Sequence, residues 1–247
     1  MVEPERRPAY YAAARPGGWR DWWTLLHPPY TAWHLSYVAI GASLAPRLDG
    51  GRLGVTVLAF FAAVGVAAHA LDELHGRPLR TQIRTPVLMG AAITGLSVSV
   101  GLGVAGVVRV GVVLVPFIVV GVVLVVAYNA ELLGGVVHTD AGFAAAWGAF
   151  PVVTAYVAQT GRLDVAPVLA AAGAFAVSMA QRGLSTPARW LRRQVVEVEG
   201  SVGLSDGTRR PVDDAMLRAP LEGALRALSW GMVLLAGALV GAKLLPR

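Results

Sequence analysis

Long apolar runs divide this chain into segments separated by short polar stretches. Seven can be read: residues 30–46, 53–74, 86–107, 110–132, 141–160, 165–181 and 221–245. Each is roughly long enough to cross ~30 Å of hydrocarbon. Continuous length without strict alternation predicts helices, even over the valine-rich run from Val110 to Val126. Gly237 and Gly241 stand four apart in the last run, a small-residue spacing suited to helix packing.

The second run is the most informative, because it ends in chemistry. No charge occurs from Leu53 to Ala68, and then His69, Asp72, Glu73 and His75 follow within seven positions. On a helix His69, Asp72 and Glu73 stand at i, i+3 and i+4. Ionisable groups at membrane depth are costly and mark candidate sites. Gly76 and Pro78 end the helix, and Arg77, Arg80 and Arg84 follow, a basic loop suited to a phosphate or other anionic headgroup. The same residues also fit a plain helix end whose acids balance nearby arginines.

Composition supports a membrane chain. The protein has 247 residues, 55% of them hydrophobic and 15% charged, too apolar for a soluble domain. Cysteine is absent, which removes disulfides and thiolate metal ligands. The expected fold is all-α: a polytopic bundle of about seven transmembrane helices. Residues 1–29 form a polar lead-in, and residues 30–247 form the bundle, with a polar insert near 182–218.

Arginines are biased to one set of loops. Arg6, Arg7, Arg15, Arg20, Arg77, Arg80, Arg84, Arg182, Arg189, Arg192, Arg193, Arg209, Arg210 and Arg218 fall on the side of the N-terminus. Positive residues favour the cytoplasm, so the expectation is an integral protein of a bacterial-type plasma membrane with its N-terminus inside. Trp19, Trp22, Trp23, Trp33 and Trp190 would lie at that interface. The net charge of +6 is then topology and lipid-headgroup chemistry, with no nucleic-acid partner expected.

All five histidines, His27, His34, His69, His75 and His138, fall on or near that same side, together with Glu131 and Asp140. His34, His69, Asp72, His75, Glu131, His138 and Asp140 are therefore candidate metal ligands; imidazole suits Fe, Cu or Zn better than Mg. His34 alone reads better as a core histidine bonded to a neighbouring carbonyl. In the insert, Ser185 or Thr186 followed by Pro187 predicts a short amphipathic helix on the surface. Asp206 and Gly207 predict a turn in a polar, hairpin-like or flexible segment. Glu222 and Arg226, four apart, predict an ion pair.

Residues Ala127-Tyr128-Asn129, Gly148-Ala149-Phe150-Pro151 and Tyr156-Val157-Ala158-Gln159-Thr160-Gly161 resemble the UbiA superfamily of intramembrane prenyltransferases. The stretch from His69 to Arg80 falls where that family carries its first aspartate-rich motif and an Arg-x-Arg-Pro-Leu segment. The resemblance spans roughly residues 25–165. It implies a helical bundle around a lipid-accessible cavity, an isoprenoid or other hydrophobic substrate, and a divalent metal, Mg in the prenyltransferases. Asp72 would match the first motif aspartate and His75 the second, with Asp140 matching the acid after the fourth span. Asp72, Glu73 and Asp140 are the catalytic candidates, with Arg77, Arg80 and Arg84 near the phosphate. His75 stands in place of an aspartate, and no carboxylate follows the sixth run until Glu197. Two alternatives follow: a histidine- and carboxylate-ligated Fe, Cu or Zn oxidoreductase or hydrolase, and a non-catalytic lipid- or quinone-binding subunit.

Overall fold

The computed structural model describes residues 8–131, 134 and 136–244. The expected positions outside that range, residues 1–7, 132 and 245–247 among them, are not described. The chain folds into helices α1 Trp19–Leu25 and α2 Pro28–Ser43, then α3 Gly50–Leu74, α4 Thr85–Val110 and α5 Val112–Asn129. α6 Asp140–Thr160, α7 Val165–Arg193 and α8 Asp214–Leu244 follow. Between α7 and α8 lie two short strands, β1 Ser201–Gly203 and β2 Arg209–Pro211.

Six of these helices, α3 to α8, are long and apolar enough to cross a membrane. Their outer faces carry bare hydrophobic side chains such as Ile93 (62% exposed) and Leu234 (70%). That surface suits hydrocarbon as solvent, where backbone groups must be satisfied within the helix. The protein is thus a helical membrane bundle.

The expected first span differs. α2 has 16 residues, about 24 Å at 1.5 Å per residue, short of a full crossing. It packs instead between α6 and α8. Trp33, expected at the interface, is fully buried there and donates through Nε1 to Tyr37 Oη at 2.8 Å. Burial against two helices makes it a core residue, whereas Trp19, Trp23 and Trp190 stay exposed.

Close helix contacts are set by glycines elsewhere in the chain than Gly237. A methyl group on Gly237 would meet nothing within 4 Å. A methyl on Gly41 would instead collide with the Val152 backbone carbonyl, and one on Gly148 with Ser178 and the Ala174 carbonyl. α2 and α6 therefore touch at Gly41, the close approach that small residues allow in membranes. Gly41→Ala is expected to cost about 1–3 kcal/mol through overpacking, read as a lower unfolding midpoint in detergent; an unchanged midpoint would mean the α2–α6 contact is loose.

Pro187 does not start a new helix. α7 runs 29 residues straight through it. Its buried positions Ala171, Ala174, Ser178, Gln181, Ser185, Ala188 and Leu191 recur at intervals of three and four, so the packing stripe continues unbroken. Proline's ring crowds the carbonyl four residues earlier, and that residue is Gly183, which has no side chain to add to the crowding. The short surface helix expected at 185–193 is thus the end of a spanning helix. The hairpin beyond it is as expected: Ser201 pairs with Pro211 and Gly203 with Arg209. Asp206 Oδ1 accepts from Thr208 N and Oγ1 at 2.9 and 2.6 Å, and Gly207 takes a positive φ of 82° to turn the chain.

Two helices carry π-helical turns, α3 over Phe61–Ala68 and α6 over Ala144–Ala149. Wider π turns are frequent at functional sites. Here Val64, Ala67 and Ala68 of one pack with Ala146 and Trp147 of the other and with Val125 and Tyr128 of α5.

Candidate functional site

Two cavities lie side by side inside the bundle. The larger, about 700 Å³, lies among α3, α4, α5 and α6 and is walled by apolar groups such as Ala63, Leu96, Ile118, Leu124 and Phe150. Asp49, Arg52 and Arg109 close its far end. The smaller, about 270 Å³, sits at the end of the bundle where α3 stops and α8 begins. Val64 and Trp147 line both, so the two spaces share a wall.

The smaller cavity is the more polar of the two. His27, His34, His69, His138, Asp72, Tyr11, Tyr30 and Tyr128 line it, with Gln181, Arg182, Arg189, Arg192, Arg193 and Glu222. The π turns help build it. Trp147 O accepts from His34 Nδ1 at 3.0 Å, and Gly65 O accepts from His69 Nδ1 at 3.0 Å. Tyr128 O accepts from His138 Nδ1 at 2.9 Å. A carbonyl can only accept, so each Nδ1 carries a proton, and Nε2 is the ring atom left for the cavity. The core reading of His34, a histidine bonded to a carbonyl, and a place in the cavity wall hold together.

The N-terminal segment crosses this end of the bundle. Pro8 O accepts from Arg193 Nε at 3.2 Å, Tyr11 O accepts from Trp23 Nε1 at 3.2 Å, and Ala13 N donates to Thr24 Oγ1 at 3.0 Å. Arg226 stacks over the Tyr10 ring at 5.0 Å. His27 follows α1, its ring 4.2 Å from that of His69. Burial above all, and then the neighbouring His69 ring, holds the His27 imidazole well below its ordinary pKa, so the ring is neutral. Burial, and then Tyr30, pushes the Tyr11 phenol well up, so it stays protonated.

The sequence-derived candidates separate into three groups. His34, His69, Asp72 and His138 come together in the polar cavity. His75 and Glu131 stay at its outer edge: Glu131 lies 3.6 Å from His75 Nε2 and 4.0 Å from His138 Nδ1. The remainder are engaged elsewhere. Glu73 is fully buried beside the loop, where Oε2 accepts from Leu79 N and Oε1 from Thr81 N and Oγ1, all at 2.8–2.9 Å. Asp140 is exposed and accepts from Arg182 Nε at 2.6 Å. Arg77 braces its own loop by donating to Ile83 O at 2.6 Å and Thr85 Oγ1 at 2.9 Å, while Arg80 and Arg84 are exposed and outside the cavity wall.

The cations that do line the cavity come from α7. Sequence reasoning set them on a detached surface helix, because Pro187 looked like a helix start. The stripe from Ala171 to Leu191 was the signal that would have joined them to the bundle. Glu222 takes Arg192 as its main partner through both carboxylate oxygens, Oε2 accepting from Nη2 at 2.7 Å. The expected Arg226 is looser, at 3.8 Å.

The donor set of the polar wall does not fit a hard divalent ion such as Mg. Among the described residues no three His, Asp or Glu side chains are grouped to hold one. Within the polar wall Glu222 is taken up by Arg192, which leaves Asp72 as its one other carboxylate, facing four guanidinium groups. Hard divalent ions want several oxygen ligands, and these residues do not supply them. No family model, no curated protein and no solved structure matches the chain.

Proposed function

We propose that this protein is a UbiA-like integral membrane enzyme that takes an isoprenoid or other lipid substrate. The tail occupies the apolar cavity, and the head lies in the polar cavity. The observation that carries this reading is that the two cavities adjoin, with Val64 and Trp147 lining both. A mostly apolar space with a small number of placed polar groups at one end suits an amphiphile. His34 and His69 present Nε2 acceptors where the head would sit, and the Tyr11 and Tyr128 phenols present donors. By the arginine bias, the polar end faces the cytoplasm of a bacterial-type plasma membrane.

The test is saturable binding of farnesol to the purified protein in detergent. Ala63→Phe places a ring into the tail space and is expected to weaken binding about tenfold, a loss of about 1.4 kcal/mol. Non-saturable uptake, or equal binding by the variant, would remove the lipid-substrate reading.

A further inference from the structure

We propose that the polar cavity grips a phosphoryl or diphosphoryl head without a divalent cation, using Arg189 and Arg193 as its cationic ligands. This rests on the lipid reading for the tail, and concerns only what holds the head.

The charges decide it. Of the four α7 arginines in the wall, two are neutralised: Arg182 by Asp140 and Arg192 by Glu222. Arg189 donates only to hydroxyls of its own helix, Ser185 Oγ and Thr186 Oγ1, both at 3.2 Å. Arg193 donates only to the Pro8 carbonyl. Among the described residues neither has a carboxylate within ion-pair distance. Two guanidinium groups therefore face a confined space that holds one unpaired carboxylate, Asp72. A planar guanidinium matches phosphate oxygens with paired donors, and buried charge is stable only when paired. A divalent cation would add positive charge to a wall already in excess of it.

Two buried polar atoms point the same way. Among the described residues, Gln181, 2% exposed, leaves Oε1 without a donor, and His27 Nε2 is likewise buried without a partner. A buried group left unsatisfied is costly. A protonated phosphoryl oxygen donates to Gln181 Oε1, while an ionised oxygen accepts from His27 Nε2–H and from the guanidinium groups.

Farnesyl diphosphate, inorganic pyrophosphate and farnesol are the probes, titrated onto the full-length protein in detergent with EDTA or with MgCl₂. Farnesyl diphosphate is expected to bind with a Kd that agrees within about twofold between the two buffers, and about tenfold or more weaker in Arg189→Gln and Arg193→Gln. Farnesol binding should not move in either variant, which also shows that both remain folded. Should Arg189→Gln fail to fold, Arg193→Gln decides alone. Competition by pyrophosphate would mean that the head suffices; EDTA-resistant, arginine-dependent binding without such competition would mean that the phosphoryl group must arrive on a lipid. Both outcomes support the proposal. Binding abolished by EDTA, or unchanged in both variants, overturns it. If farnesyl diphosphate binds no more tightly than farnesol, the anion site falls and the lipid reading stands. If farnesol does not bind but pyrophosphate binds through the arginines, the reverse holds.

Discussion

Glu73→Ala is expected to destabilise the protein by about 3 kcal/mol or more, since each buried donor left unsatisfied costs about 1–3 kcal/mol. Glu73 is fully buried and holds Leu79 N, Thr81 N and Thr81 Oγ1. These bonds shape a loop in which Arg77 and Arg80 both take positive φ values of 54°, a conformation unfavourable for side chains other than glycine. Without the carboxylate the loop from His75 to Arg84 loses its anchor. Asp21, which accepts from Gln82 N at 2.9 Å, then holds α1 to a loose segment. The measurement is the unfolding midpoint in detergent, with proteolysis of the 75–84 loop as a local readout. Glu73→Gln keeps two acceptor bonds at most and should fall between. A Glu73→Ala protein as stable as wild type, with an uncut loop, would show that the anchor is dispensable.

Glu222→Ala is expected to cost about 3–5 kcal/mol, the usual result of breaking a buried ion pair from one side. The pair is shielded: the Glu222 side chain is 8% exposed and that of Arg192 13%. Arg218 and Arg226 stand 3.9 and 3.8 Å from the same carboxylate. Removing the acid strands the Arg192 guanidinium between α7 and α8, while Arg218 keeps Asp214 at 2.6 Å. Arg192→Ala in the same chain should recover part of the loss, and the double-mutant cycle reads the coupling directly. Additive losses would mean that the two side chains do not act as a pair. Neither Glu73 nor Glu222 reads as structurally distinct from Asp72 or Asp214 by residue type; their partners set them apart.

Why some features were legible along the chain and others were not has a physical basis. Gly76 and the Asp206–Gly207 pair mark a helix end and a turn because only local backbone conformation is at stake. Glu73 is the opposite case. It adjoins Asp72, but adjacent helical positions point about 100° apart. One therefore faces the cavity and the other the loop. Arg77, Arg80 and Arg84 sit beside the candidate site in sequence and look like its cations. In the fold that place belongs to Arg189 and Arg193, more than a hundred residues later, because α7 continues past Pro187 and carries them over the polar end.

By itself, then, the sequence determined the membrane class, the long helices, the polar hairpin and the gathering of histidines at one end. Those follow from hydrophobic run length, turn chemistry and the alternation of spans, which need no knowledge of which helix touches which. Only the tertiary structure decided that α2 is a short packed helix, that Glu73 and Arg77 brace a loop, and that the cavity's cations come from α7. Side-chain roles depend on partners distant in sequence, and only packing sets those.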